Sequence, residues 1–428
     1  MVLTYCYRLL PSKAQHRALE GILESQRQLY NAALEERIGA FRNAGVTRTY
    51  VDQCKALTEW RLSDPEAASV PLRLQRWTLK QLDEAYRGFF RRVKVGGKPG
   101  YPRFRGKGRF DSFGFREFVG IRFENGRLRF DGMPGGLRVH LHRPLPEGAA
   151  IRCCVFRRDV KGWKVGFPVD LPAAPPRPIV RAVGVDLGIS TFAALSDGGF
   201  IPGLKAARRA ERELRRANRA LDRKARGSRG RRKARTALAR CHGKTARARL
   251  DYLHQAGARL VRDYDVIVIE KLNVKGLARS ALARDVHDAS WAKFISLLRY
   301  KAECAGTRLI EVDPYDTSQD CSGCGMKVPK ALRDRLHECH HCGLVVDRDL
   351  NAARNILHRA GVGPGLPNVA GYGMRAGGNL VGGGVPTCHE LARHYTCHFC
   401  MRRARCASTA SWSRFGPAPA PDSPAAAR

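Results

Sequence analysis

Cys321, Cys324, Cys339 and Cys342, set as two C-x2-C pairs, constrain this chain more than any other feature. Each pair turns two thiolates toward one point, and two pairs complete the tetrahedral shell of a closed structural zinc. Gly325 and Gly343 follow the second Cys of each pair, where the backbone has to turn tightly. Disulfides are the competing reading, but paired knuckles favour metal and the N-terminus MVLTYCYRLLPSKAQ has no apolar signal core. A catalytic zinc is disfavoured because four thiolates leave no open position. Directly after the second pair comes DRDLNAARN, an acidic helix start.

The net charge of +38 and pI near 10.4 point to a polyanion partner. Nucleic acid fits best, since no apolar run approaches the ~20 residues of a membrane span. The expected location is the cytoplasm, with the 14 cysteines reduced, metal-bound or buried. A length of 428 residues allows two or three domains.

Residues 1–10 alternate as a strand up to a helix start at Pro11-Ser12. From Lys13 to about Arg92 the spacing of Leu19, Ile22, Leu23, Leu29 and Leu34, then of Leu72, Leu74, Leu79, Leu82, Phe89 and Phe90, is helical and assigns these residues to a core. Polar residues near Asp64-Pro65 break it. In KPGYPRFRGKGRFDSFGFREF, Arg103, Arg105, Lys107 and Arg109 interleave with aromatics; the cations suit phosphates and the rings suit bases or core in equal measure. An Asn125-Gly126 hairpin signal and short strands over roughly 117–170 predict a small β-barrel or sandwich joined by the first strand. LPAAPPRPIVR is a linker. Residues Lys205 to Arg249 read as a basic two-helix hairpin suited to phosphate contact. Beyond Gly361 the composition predicts a mostly disordered tail, in which Cys388, Cys397, Cys400 and Cys406 are a weaker candidate metal cluster.

Three acids stand where an unpaired charge is costly: Asp186 in an apolar strand, Glu270 at the end of another, and Asp349 at the helix start beside the zinc segment. For Asp349 alone, N-capping is the rival role. Asp347 is the alternative third acid, and Asn351 is placed to orient a ligand or substrate. In the order strand, strand, helix, the three suggest a ribonuclease H-like α/β fold whose carboxylates converge on divalent metal. Mg²⁺ or Mn²⁺ held by carboxylate oxygens supports phosphodiester cleavage without a His base or Ser nucleophile.

GVDLGIS, IVIEKLNVKGL, TSQDCSGCG and CHHCGLVVDRDLNAARNI resemble the RuvC and zinc segments of the TnpB (OrfB) family, which insertion sequences encode and which is related to the type V CRISPR effectors. YRLLPSKAQ, LYNAALEERI, LDEAYRGFFRRVK and GKPGYPRFRGKGRFDSF resemble its N-terminal half. The resemblance implies an RNA-guided DNA endonuclease that binds a noncoding guide RNA from the transposon end and cuts matching double-stranded DNA beside a short target-adjacent motif. It implies Asp186, Glu270 and Asp349 as the catalytic, magnesium-binding triad and the four cysteines as the zinc ligands. It further implies a wedge-like β-barrel domain at 1–10 and 106–175, a helical recognition lobe at 11–105, and a split RuvC-like nuclease domain at 176–316 and 344–360. The zinc-ribbon insert would then be 317–343 and the tail 361–428.

Two readings share this resemblance: a miniature CRISPR effector, and a nuclease-inactive guide-directed repressor, which retention of all three acids disfavours. A transposase working through a covalent tyrosine is disfavoured because none of the 12 tyrosines lies near a paired-His metal motif.

Overall fold

A computed structural model describes residues 2–279, 283–331 and 334–361. The expectations for the tail and its cysteines lie outside the described residues.

Strand β1 (Val2–Leu10) leads into α1 (Lys13–Ala44). A capping box starts this helix: Gln15 N–H donates to Ser12 Oγ at 3.2 Å, and the Ser12 N–H to Gln15 Oε1 at 3.0 Å. Gly45, at φ +63°, ends it. Next come α2 (Tyr50–Ser63), α3 (Pro65–Ser69) and α4 (Leu72–Lys94). Asp64 is the predicted breaker: it ends α2, and its carboxylate accepts N–H groups of Glu66 and Ala67 to cap α3. Arg37 binds the three long helices together, donating to Gln53 of α2 at 2.8 Å and facing Asp83 and the ring of Tyr86 on α4.

Six strands follow: β2 (Ser112–Phe115), β3 (Ile121–Glu124), β4 (Arg127–Phe130), β5 (Leu137–His140), β6 (Cys154–Asp159) and β7 (Gly162–Asp170). With β1 they form a seven-stranded sheet in the order β2-β6-β7-β1-β5-β4-β3. The sheet curls until Phe115 of β2 meets Phe130 of β4 at 5.4 Å between ring centroids, but its edge strands β2 and β3 are not hydrogen-bonded to each other. Leu19, Leu34, Leu74, Leu82, Phe113 and Phe156 are fully buried in the core shared with α1 and α4. Each such side chain contributes about 1.5–3 kcal/mol. Phe90, expected in this core, is 52% exposed because it falls on the outer face of α4.

The second half contains β8 (Ala182–Asp186), β9 (Thr191–Leu195), β10 (Phe200–Pro202), α5 (Ala206–Arg209), α6 (Glu211–Asp222), α7 (Arg229–Asp263), β11 (Val266–Glu270), α8 (Val274–Leu277), α9 (Ala283–Ala289), α10 (Trp291–Ala305) and β12 (Arg308–Val312). The predicted basic hairpin is α6 and α7, and α7 runs on to Asp263. The five strands form one sheet ordered β10-β9-β8-β11-β12, antiparallel across β10, β9 and β8 and parallel across β8, β11 and β12. Every residue of β11 is buried, as a parallel strand covered on both faces requires. Ile267 and Ile269 face Leu260 of α7 and Phe294 of α10. Val266 and Val268 face Ile356 of α11 (Arg348–Arg359). Between β12 and α11 the chain makes the hairpin of β13 (Leu336–Glu338) and β14 (Val345–Asp347).

Candidate functional site

Strands β8 and β11 run parallel with Val185 opposite Ile269, so Asp186 and Glu270 emerge together at their carboxyl ends. Helix α11 crosses this edge at minimal separation, and Gly184 is the reason. A Cβ there would lie 2.1 Å from the Ala353 carbonyl oxygen and 2.8 Å from the Leu357 nitrogen. The crossing brings the start of α11 over the strand ends. Asp349 Oδ2 sits 4.0 Å from where a Cβ on Gly188 would be, in the turn just past Asp186.

Asp347, not Asp349, caps α11: its Oδ1 accepts the N–H groups of Asp349 at 2.8 Å and Leu350 at 3.2 Å. This removes the capping role considered for Asp349 and leaves its carboxylate facing the strand ends, with Arg348 Nε at 3.5 Å.

Asp186 feels both of the other acids. Asp186, half-buried, has its pKa pushed up to about 8, chiefly by burial and then by the negative charges of Glu270 and Asp349, with Arg348 partly offsetting them. Burial also raises Glu270, against the lowering pull of the Thr317 hydroxyl and Arg359. The repulsion that raises Asp186 is relieved either by a proton or by a divalent cation held between the carboxylates.

Asn351 has a different role from the one expected. It is fully buried, its Oδ1 accepts the Ser322 N–H at 2.9 Å, and its Nδ2 donates to the Asp320 carbonyl at 2.7 Å. Its amide is spent on the loop entering the first cysteine pair and is not available to a ligand. Asn355, one turn on, donates to the carbonyls of Thr317 and Asp320 at 2.9 and 2.6 Å. Arg359 donates to the Asp320 carboxylate at 2.9 Å and the Asp313 carbonyl at 3.0 Å. None of these roles has a local sequence signature beyond the spacing of one helix face.

The four cysteines converge, with all their sulfurs within 4.8 Å of one another. Cys321 and Cys342 are 3.6 Å apart at sulfur, as are Cys324 and Cys339. Zinc–sulfur bonds of about 2.3 Å at tetrahedral angles require edges of about 3.8 Å, so the donor set fits zinc. The two knuckles repeat one geometry: Gly325 N–H donates to Cys321 O and Gly343 N–H to Cys339 O, each at 2.8 Å, with both glycines at φ +74°.

Of the interleaved segment, Arg103, Lys107 and Arg109 are exposed, whereas Arg105 is half-buried over the ring of Tyr30, 5.4 Å from its centroid. Its backbone is clasped by Asn31 and Arg27 of α1. Phe110, Phe113 and Phe115 are core, and Phe104 is 54% exposed. A cavity of ≈ 240 Å³ that sequence reasoning missed lies beside the β8–β9 turn, with Ser190, Lys205, Arg249 and Tyr252 in its wall.

The fold and sites define an α/β protein that combines clustered strand-end carboxylates with a four-thiolate ribbon. The family described as "Probable transposase" matches residues 166–281, the "Cas12f1-like, TNB domain" residues 291–356, and a "Helix-turn-helix domain" residues 1–45. The last name does not describe the geometry here, which is strand β1 and one continuous helix. A protein of Streptomyces pristinaespiralis named "Putative RNA-guided DNA endonuclease" is 36% identical over 82% of this chain and 87% of its own. The Escherichia coli protein of that name, InsQ, is 26% identical over 90% and 96%. The chain belongs to the OrfB (TnpB) family. Its α/β fold is similar to a chain in the cryo-EM structure of the Cas12f1-sgRNA-target DNA complex, at TM-score 0.51 and 14% identity over 81% of this chain and 83% of that one.

Proposed function

We propose that the protein is an RNA-guided DNA endonuclease of a transposon, working in the cytoplasm on double-stranded DNA matched by a guide noncoding RNA. The observation that carries this reading is the meeting of Asp186, Glu270 and Asp349 at one sheet edge, each brought by a different element. An antiparallel β10-β9-β8 set continued by parallel β11 and β12 supports a ribonuclease H-like, RuvC type of nuclease domain, split as 176–316 and 344–360 around a ribbon at 317–343. The names of the relatives support guide-directed DNA cleavage, and the family supports a transposon origin.

The donor set suits hard divalent cations, Mg²⁺ or Mn²⁺, because three oxygen ligands carry excess negative charge in a partly buried place. When bound, such ions supply an activated water and stabilise the leaving oxygen of a phosphodiester. Asp186, Glu270 and Asp349 would hold them; Arg348 limits the local negative charge. The four-cysteine ribbon would hold zinc for structure alone.

Nucleic acid would lie along basic surface. The curled sheet at 1–10 and 106–175 would serve as wedge and the helices at 11–105 as recognition lobe. Arg103, Lys107 and Arg109 would neutralise phosphates, as would Arg216, Arg219, Arg232 and Arg235, exposed on α6 and α7. Sequencing the RNA that co-purifies, then testing cleavage of guide-matched DNA by the wild type and Asp186→Ala, tests the reading. A discrete guide species with cutting lost only in the variant is expected; bound RNA with no cutting by the wild type overturns it in favour of a binding protein.

A further inference from the structure

One of the three carboxylates, that of Glu270, is met by a buried hydroxyl. Thr317 is buried at 4% exposure, and its Oγ1–H donates to Glu270 Oε1, itself at the end of β11 with 9% of the residue exposed; the Pro314 carbonyl, at 3.3 Å from Oγ1, is the more distant and uncharged of the two acceptors within its reach. No other hydrogen bond from a described residue reaches the Glu270 carboxylate. Thr317 is not free to drift. Its carbonyl accepts from Asn355 of α11, and three residues on, the Asp320 carbonyl accepts from both Asn351 and Asn355. Cys321, the first thiolate of the ribbon, is the next residue, and Ser322 is fixed to Asn351 in turn. A short segment therefore links the ribbon's first knuckle, α11 and the Glu270 side chain.

We infer that Thr317 is a positioning residue for divalent-metal binding, holding one oxygen of Glu270 so that the other faces Asp186 and Asp349. The inference rests on the carboxylate site proposed above. An ionised carboxylate only accepts, so a fixed donor on one oxygen sets the plane of the group. Without it, a buried glutamate samples rotamers that carry its charge away from the other two acids, and the cation loses a preorganised ligand. The backbone grip of Asn355 does not depend on the threonine side chain, so loss of the hydroxyl leaves the ribbon attached.

Thr317→Val keeps the shape and removes the donor, and Thr317→Ser keeps the donor. Mn²⁺ binding to the full chain is measured by calorimetry and by electron paramagnetic resonance, alongside zinc content, melting temperature and the Mg²⁺ concentration for half-maximal cleavage. Thr317→Val is expected to bind Mn²⁺ about tenfold more weakly, equivalent to about 1.4 kcal/mol. It should need correspondingly more Mg²⁺, recover most of its cleavage at saturation, and keep its zinc. Thr317→Ser should stay within about twofold of wild type. Wild-type Mn²⁺ affinity in Thr317→Val, or an equal loss in Thr317→Ser, overturns the inference. Thr317→Ala, scored identically, replaces the valine variant should that lose zinc or melt early. Glu270→Gln separates the two claims: if it binds Mn²⁺ as wild type does, the carboxylate site itself is wrong, whereas a weakened Glu270→Gln beside an unaffected Thr317→Val rejects only the role of Thr317.

Discussion

The carboxylate of Asp347 accepts the backbone N–H of Asp349, so two acids two residues apart do opposite work: one closes the helix and the other is left to face the strand ends. Asp347→Ala should cost about 1 kcal/mol of stability, as cap removals do, and retain much of the cutting. Asp349→Ala should abolish cleavage while guide-dependent DNA binding persists. Cleavage assays and denaturant melts of the pair check this; a dead Asp347→Ala beside a fully active Asp349→Ala reverses the assignment.

Gly184 should tolerate no side chain. A methyl group aimed at the Ala353 carbonyl must displace either α11 or β8. Gly184→Ala is expected to destabilise the fold by about 3 kcal/mol, toward the upper end for overpacking, and to lower cleavage by pulling Asp349 away. Thermal unfolding and cleavage at low temperature separate the two effects.

Zinc should be lost one thiolate at a time. Cys342→Ser is expected to purify with little zinc by elemental analysis and to lose protease resistance within the ribbon, while circular dichroism from the two large sheets is kept. Unchanged zinc content would show that the thiolates are not the ligands.

His254 supplies a pH dependence. It is buried beside Tyr300, and burial, with the nearby Lys301 and Lys293, holds its pKa down to about 4 from the ordinary 6.5. The unfolded chain therefore binds a proton that the folded chain does not between those values. The associated stability is complete above about pH 6.5 and is lost as pH falls toward 4, by about 3 kcal/mol at most. Denaturant unfolding at pH 7 and 4.5 should show a drop that His254→Leu flattens.

On the nucleic-acid side, Arg103→Ala, Lys107→Ala and Arg109→Ala should each weaken RNA binding without changing stability, and reduce the salt slope by about 0.7 to 0.9. Arg105→Ala should also lower the melting temperature, because that guanidinium packs on Tyr30.

Much of this was readable in the chain because it is local. Two C-x2-C pairs, an apolar strand ending in Glu270 and a Gly-flanked Asp186 carry their meaning within a few residues. Thr317 and Asn355 do not, being partners across 38 residues that meet only when α11 folds back on the loop before the knuckles. Asn351 looked like a ligand-orienting amide because sequence gives its chemistry but not its neighbours. The interleaved aromatics divided between core and surface according to the curl of a sheet whose central strand, β1, lies at the other end of that half of the chain. Phe89 and Phe90 misled for a simpler reason, since they lie near the end of α4 beyond the core and pack on each other and on Tyr86 and Tyr101 instead.

Helix α11 follows β8 by more than a hundred and fifty residues in the chain yet rests directly on it. A ribosome therefore releases both large sheets, and every basic surface named above, before the third carboxylate exists. On the proposed reading, the basic surfaces that would meet RNA form before the carboxylate set is complete. On that reading the carboxylate set is completed only when the ribbon and α11 have emerged, so a chain that stops short of α11 should bind RNA without cutting DNA.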